Sequence, residues 1–340
     1  MKASLRQSIS NGVVMAGITA MGRLVGGRDG AFILYGHRVA HGTEGFLEGL
    51  KPSWFEDQLR YLTRHYEVIP FGTLVECFES RRKVPPRSVV LTFDDGFKDN
   101  YETVVPLLER FAVPATFFVV TGCLSSGQLP WSQRLGVGFE KTACAHVTHS
   151  PTGLHERSLL SLDDRRAAYG VAKSAIAPWP RAERDRAIDE ILENLSVVPP
   201  RDHMMSWSQA AEMMAKGHEI GAHTYSHALL GRVTKAEARW EMARSRDDLR
   251  NRLGLTSPHF CFPGGSLDPS LVAEARTLGF RSTFLPRQAR RLNQIDTTDA
   301  FGLSRVGLPN ADARVLEAEL DGPFQTLRTF FGARRQRLRS

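Results

Sequence analysis

Cysteine is scarce in this chain and never paired in sequence: 340 residues hold four, Cys77, Cys123, Cys144 and Cys261, with no CxxC and no close spacing. That usage argues against a disulfide-built fold and against a thiolate zinc cluster, and it fits a reducing compartment. Long apolar runs are missing too. The mildly apolar stretch Gly12–Gly22 follows Lys2 and Arg6, is broken by Arg23, and is too short to span a bilayer as a helix. It lacks the leucine-rich centre of a secretory signal, although its Gly and Ala content leaves export open. The reading is a helical extension over residues 1–30 resting on a membrane surface. No internal repeat, low-complexity tract or aromatic-interleaved basic patch occurs, which argues against nucleic acid as a partner.

What the chain does contain is ordinary for a globular protein: 42% hydrophobic and 24% charged residues. The balance of 44 Lys+Arg against 37 Asp+Glu gives +7, and part of that excess lies in Arg334–Ser340, a solvated basic tail. Apolar runs alternate with helical patterns. Phe32–Tyr35 and Tyr66–Ile69 read as strands, and Ser53–Glu56 reads as a capping box opening a helix over Trp54–His65. Further strands are expected at Ser88–Phe93, Ala115–Val120, His218–Gly221, His259–Phe262 and Phe280–Phe284. Ser206–Gln209 and Thr234–Glu237 carry helix-start signatures. Such βα alternation implies a parallel sheet, open or closed into a barrel, with reactive residues at the C-terminal ends of its strands. The segment 125–205 breaks the rhythm and reads as a largely helical insertion.

Two constellations fall at those strand ends. Asp94 and Asp95 follow Ser88–Phe93 and precede Gly96; His223 and His227 follow Glu219–Gly221. Alone, the first would be an ordinary turn and the second one face of a helix. Together, one carboxylate and two imidazoles are a three-ligand set that leaves a divalent ion an open position for water, and the other carboxylate is free to act as base. The pattern predicts Asp95, His223 and His227 as metal ligands and Asp94 as base. One carboxylate and two imidazoles suit Zn²⁺ first, with Co²⁺, Ni²⁺ and Mn²⁺ as alternatives.

Thr92–Gly96 and His223–His227 resemble the first two motifs of the metal-dependent polysaccharide deacetylases, the NodB-homology group. Tyr35–Val39, Phe55–Leu62, Pro114–Phe118, Ser206-Trp207 and Gly217–Gly221 extend the resemblance across roughly residues 31–308. It implies a distorted (β/α) barrel with fewer than eight regular strands, over residues 31–310, followed by a helical and basic tail over 311–340. It also implies removal of N-acetyl, less often O-acetyl, groups from a sugar, and the same roles for Asp94, Asp95, His223 and His227. The partner would be an acetylated oligo- or polysaccharide of the cell envelope or an exopolysaccharide, lipid-linked or free. A cytoplasmic or inner-membrane peripheral location is expected, with periplasmic export left open.

Two positions depart from the family pattern. Cys261, in Cys261–Gly265, stands where Arg commonly pairs with the base, and Arg38 and Arg305 are the candidates to replace it. No histidine follows His259, so the usual late acid is missing. His37, directly after the first strand, is the expected general acid, with His259 as runner-up at the wrong end of its strand. The Gly264 amide is the expected oxyanion donor. Trp131 is expected either to stack on the sugar or to pack in the core. Cys144, His146, His149 and His155 are too irregularly spaced for a second metal site. Two other functions stay open: a sugar-binding homologue without turnover, and a metal-dependent hydrolase of a non-sugar amide.

Overall fold

The computed structural model describes residues 30–322 apart from 42–44, 267, 285–291 and 297, together with Gly12. Apart from Gly12 and Gly30, the expected extension over 1–30 lies outside the described residues, as do the basic residues after 322. Among the described residues, no helix is long and apolar enough to cross a membrane.

The described residues form nine strands: β1 Ala31–Gly36, β2 Glu67–Val68, β3 Ser88–Asp95, β4 Thr116–Val119, β5 His146–His149, β6 Leu154–Ser158, β7 Glu219–Ala222, β8 Leu292–Asn293 and β9 Val306–Gly307. Seven form one sheet in the order β7-β4-β3-β1-β8, with β2 against β3 and β9 against β1. All its pairings are parallel except β8 on β1. The centre of that sheet is largely apolar. Every residue of β3 is buried, as expected when helices cover a parallel sheet on both faces. Phe93 stacks on Phe117 across β3 and β4 and meets Phe55 edge-on from the helix Pro52–His65.

Beyond β7 the ladder thins to single parallel bridges, Ala222–Phe260, Phe260–Thr283 and Phe284–Leu303. The strands expected at His259–Phe262 and Phe280–Phe284 are thus reduced to one or two paired residues each. The pairings run on through the Leu303–Gly307 segment to β9 and back to β1. The parallel sheet and these bridges make a distorted, barrel-like α/β wall, regular on one side and irregular on the other, as the family resemblance implies.

Helix starts follow local chemistry. The Ser206 side chain accepts from the Gln209 amide and Gln209 returns a bond to the Ser206 amide, a complete capping box. The box expected at Ser53 does not form. That helix begins at Pro52 with Lys51 as an uncapped N-cap, because Pro at the first helical position is already set at a helical φ and has no N–H to satisfy.

The insertion is built from the helices Trp131–Lys141, Leu162–Ile176 and Arg181–Asn194 plus the β5–β6 hairpin. It has its own apolar core, in which Leu135, Phe139, Leu154, Ile176, Ile188 and Ile191 are fully buried. Its first helix lies beside the C-terminal ends of the barrel strands.

Candidate active site

Adjacent residues of a strand point to opposite faces, so Asp94 and Asp95 should diverge. They do not, because Asp95 takes a left-handed backbone (φ 77°) and Gly96 follows at φ 81°. Such a conformation costs a non-glycine residue about 1–3 kcal/mol and persists only where the surroundings enforce it. Here the Asp95 carbonyl accepts from Val120 and the Gly96 carbonyl from Met205, and the register holds Asp95 opposite Val119. Both carboxylates consequently face one site, 3% and 1% exposed.

The histidine pair lies on a loop after β7, not on a helix. Thr224 (φ 65°) and His227 (φ 60°) are also left-handed. Glu241, fully buried on the helix Lys235–Leu253, shapes this loop by accepting from the Tyr225 amide (2.9 Å), the Ser226 amide (2.8 Å) and the Ser226 hydroxyl. Gly122 donates to the Tyr225 carbonyl, and a Cβ there would lie 2.5 Å from that oxygen, so only glycine fits. Arg184, a buried residue of the insertion, donates to Ser226 Oγ at 2.7 Å.

This scaffold brings Asp95, His223 and His227 together. His223 Nε2 and His227 Nε2 lie 3.4 and 3.2 Å from Asp95 Oδ1, and the three ligand atoms fall within 4.8 Å of one another. His223 Nδ1 is tied to the Cys261 carbonyl at 2.8 Å, which turns Nε2 toward the site. Asp95 Oδ1 is buried yet has no hydrogen-bond partner. A buried carboxylate oxygen without a donor is costly, and a divalent cation among these three donors would satisfy it. The donor set therefore fits a metal. A second set, Asp94, His223 and Cys261, is equally compact. Burial pushes the Cys261 thiol up, and Arg305 occupies both Cys261 and Asp94, so that set is not free to ligate.

Arg305 fills the place that Cys261 leaves vacant. Its Nη1 and Nη2 reach Asp94 Oδ1 and Oδ2, both at 2.7 Å, and Nη2 lies 2.9 Å from Cys261 Sγ. The rings of Tyr35 and Phe284 lie 4.7 and 4.5 Å from the guanidinium carbon. Burial alone would raise Asp94, but the Arg305 charge and its hydrogen bonds, with His223 and His37 behind them, hold it below the usual carboxylate range. Arg38, the other candidate, is engaged elsewhere: its Nε pairs with Asp99 at 2.6 Å.

His37 is exposed just past β1. Its carbonyl accepts from Asn100 at 2.8 Å, and Asp99 accepts from the Val39 amide, so the loop after the aspartates anchors the loop after β1. His37 follows the last residue of β1, which runs parallel to β3 with Gly36 opposite Phe93, and this puts it at the same end of the barrel as the aspartates. His259 is excluded as an acid. It is buried against Phe71, bonded to Ser282 Oγ at 2.8 Å, and pushed down to about 3 by burial. Gly264 is exposed in the turn Pro263–Gly265 at φ 59°.

The stacking role read for Trp131 does not match its position. Trp131 is 4% exposed in the core of the insertion, its indole N–H donates to the His227 carbonyl at 2.9 Å, and the Arg184 guanidinium lies over its ring at 5.3 Å. The aromatic bulk that suggested sugar contact serves to buttress a ligand loop. Gln133, two residues on, donates to Asp95 Oδ2 at 3.3 Å. Glu241, Arg184, Asp99 and Gln133 carry no motif in the sequence. The capping threonine Thr234, three residues before Glu237, marked only where Glu241's helix begins.

Together the barrel wall, the Asp-His-His donor set and the guanidinium-locked carboxylate define a hydrolase of the metal-dependent kind. Comparison with known proteins gives the family. The chain belongs to the polysaccharide deacetylase family, which matches it over residues 81–283. A poly-β-1,6-N-acetyl-D-glucosamine N-deacetylase of Staphylococcus aureus is 39% identical over 72 residues, which is 21% of this chain and 24% of that protein. The corresponding Staphylococcus epidermidis enzyme is 34% identical over 74 residues, 21% and 25% of the two chains. The match spans about a quarter of the length of these curated relatives. Among solved structures, IcaB from Ammonifex degensii is similar with a TM-score of 0.54 and 20% identity, over 89% of this chain and 97% of its own. Streptococcus pyogenes deacetylase PplD, solved with acetate, gives 0.54 and 15% identity over 88% and 97%. At these identities the two structures speak for the fold.

Proposed function

We propose that this chain is a metal-dependent N-deacetylase of an N-acetylated exopolysaccharide, of the poly-β-1,6-N-acetylglucosamine class. The observation that carries the chemistry is the bidentate Asp94–Arg305 pair beside a buried Asp95 oxygen that lacks any donor. The substrate class follows that named for the staphylococcal relatives.

Asp95, His223 and His227 would hold the divalent ion, with Zn²⁺ first among candidates. When bound, the ion supplies Lewis-acid polarisation and an acidified water. Asp94, ionised and fixed by the Arg305 fork, takes the proton from the attacking water. Oδ2 accepts from both Arg305 and the Cys261 thiol, whereas Oδ1 accepts one Arg305 bond and keeps a second lone pair for that proton. The Gly264 amide donates to the developing oxyanion, an interaction worth about 2.7–4 kcal/mol in hydrolases. His37, exposed at the mouth, protonates the departing amine. It lines a cleft of ≈ 300 Å³ with Tyr35, Phe93, Leu308 and Asn310. Acetate and a free amino sugar are the products.

The test is acetate release from a β-1,6-linked N-acetylglucosamine oligomer by metal-loaded protein. Binding of the oligomer without acetate release would make the chain a sugar-binding homologue. Release from simple cyclic amides but not from the oligomer would move it to the non-sugar amidases.

A further inference from the structure

Asp95 has two oxygens with different surroundings. Oδ1 faces the two imidazoles and has no hydrogen-bond donor, while Oδ2 accepts from Gln133 Nε2 at 3.3 Å. Gln133 comes from the insertion, in the first turn of the helix Trp131–Lys141. A glutamine amide could present either its NH₂ or its oxygen to a carboxylate, and the second would be repulsive. The neighbouring Ser132, 7% exposed, removes that ambiguity: its hydroxyl donates to Gln133 Oε1 at 2.8 Å, which leaves the NH₂ for Asp95. One residue earlier, the Trp131 indole fixes the His227 carbonyl at 2.9 Å. A single helical turn thus grips two of the three candidate ligands.

We infer that Gln133, oriented by Ser132, is the positioning residue that makes Asp95 a one-oxygen metal ligand, and that the insertion is thereby part of the metal site. The inference rests on the metal reading proposed above. By engaging Oδ2, Gln133 keeps Asp95 from rotating, and it directs the electron-rich Oδ1 at the point between the two Nε2 atoms. Ligating carboxylates depend on such outer hydrogen bonds, and losing one costs about 10–100-fold in metal affinity. The effect belongs to the ligand and not to substrate, so it is visible in metal binding alone.

The experiment measures Zn²⁺ affinity by chelator competition, with no substrate present, on metal-stripped wild type, Gln133→Leu, Ser132→Ala and Lys141→Ala. Apo unfolding midpoints are recorded alongside. Gln133→Leu should weaken Zn²⁺ binding about tenfold or more, and Ser132→Ala should weaken it by less. Lys141→Ala, on the same helix at its exposed end, should leave it unchanged. The apo midpoint of Gln133→Leu should stay at the wild-type value, which a merely structural role would not allow. Wild-type Zn²⁺ affinity in Gln133→Leu overturns the inference. Should Gln133→Leu not fold, unchanged affinity in Ser132→Ala overturns it instead. Folded wild type that binds no Zn²⁺ overturns the metal reading itself, a result separate from either.

Discussion

Replacing Arg305 with methionine isolates what the guanidinium does for Asp94. The pair is buried, with the Asp94 and Arg305 side chains 4% and 12% exposed, and both hydrogen bonds are 2.7 Å. Removing one partner of such a pair typically costs about 3–5 kcal/mol, because the other charge is left unpaired. Asp94 can relieve that cost by taking a proton, since burial, the largest influence on it, already favours the neutral form. The sign is then fixed. In the wild type Asp94 lies below its unfolded value of about 3.9, so its ionised form stabilises the fold above that pH and loses this contribution as pH falls. In Arg305→Met its pKa is raised, so the base is neutral over part of the working range and ionising it destabilises the fold as pH rises. A pH–rate profile of acetate release should show the acid limb moved upward, with activity near neutrality reduced by up to the ~10²–10⁴ that a general base supplies. Arg305→Lys should recover only part of this, because an ammonium cannot span both oxygens and stack between Tyr35 and Phe284. An unmoved acid limb in Arg305→Met would refute the argument that Arg305 tunes the base.

Asp94→Asn should reduce acetate release by about 10²–10⁴ while Zn²⁺ affinity, measured by chelator competition, stays near wild type. His37→Ala should lower kcat over a similar range; full activity would place the acid elsewhere. Glu241→Ala leaves the Tyr225 and Ser226 amides without their acceptor, at about 1–3 kcal/mol per group, so the urea midpoint should fall and metal binding weaken with it. Without an ion, burial lowers His227; in His223 burial is outweighed by Cys261, Asp95 and Asp94, which raise it well above the usual value. Metal must displace that proton, so affinity should fall as pH falls, and calorimetry in two buffers should register proton release.

The strand–helix rhythm and the two motifs were legible because they are local. The aspartates end a run that every periodicity rule reads as a buried strand, and the histidines follow another. The sequence named Arg305 only as a candidate, because the contact joins residues 211 positions apart and depends on how the irregular wall returns to β1. Nothing in the spacing separated it from Arg38, whose partner Asp99 lies just beyond the motif. Gln133 was invisible for a related reason: its role requires the insertion's packing against the barrel, and a Ser-Gln pair at a helix start carries no pattern. Trp131 shows the opposite case, a conspicuous residue whose burial and indole bond give it a supporting part. The Ser53 box failed for a local reason, since Pro52 sets the helix start first.

The central claim is that Asp95, His223 and His227 hold the ion on which deacetylation depends. Metal-stripped protein should be titrated with Zn²⁺ while acetate release from a β-1,6-linked N-acetylglucosamine oligomer is followed in the same samples, with the double variant His223→Ala/His227→Ala as reference. The account predicts activity that rises in step with one bound ion per chain and a double variant with neither binding nor release. Acetate release from the stripped protein, or stoichiometric binding that survives in the double variant, would contradict it.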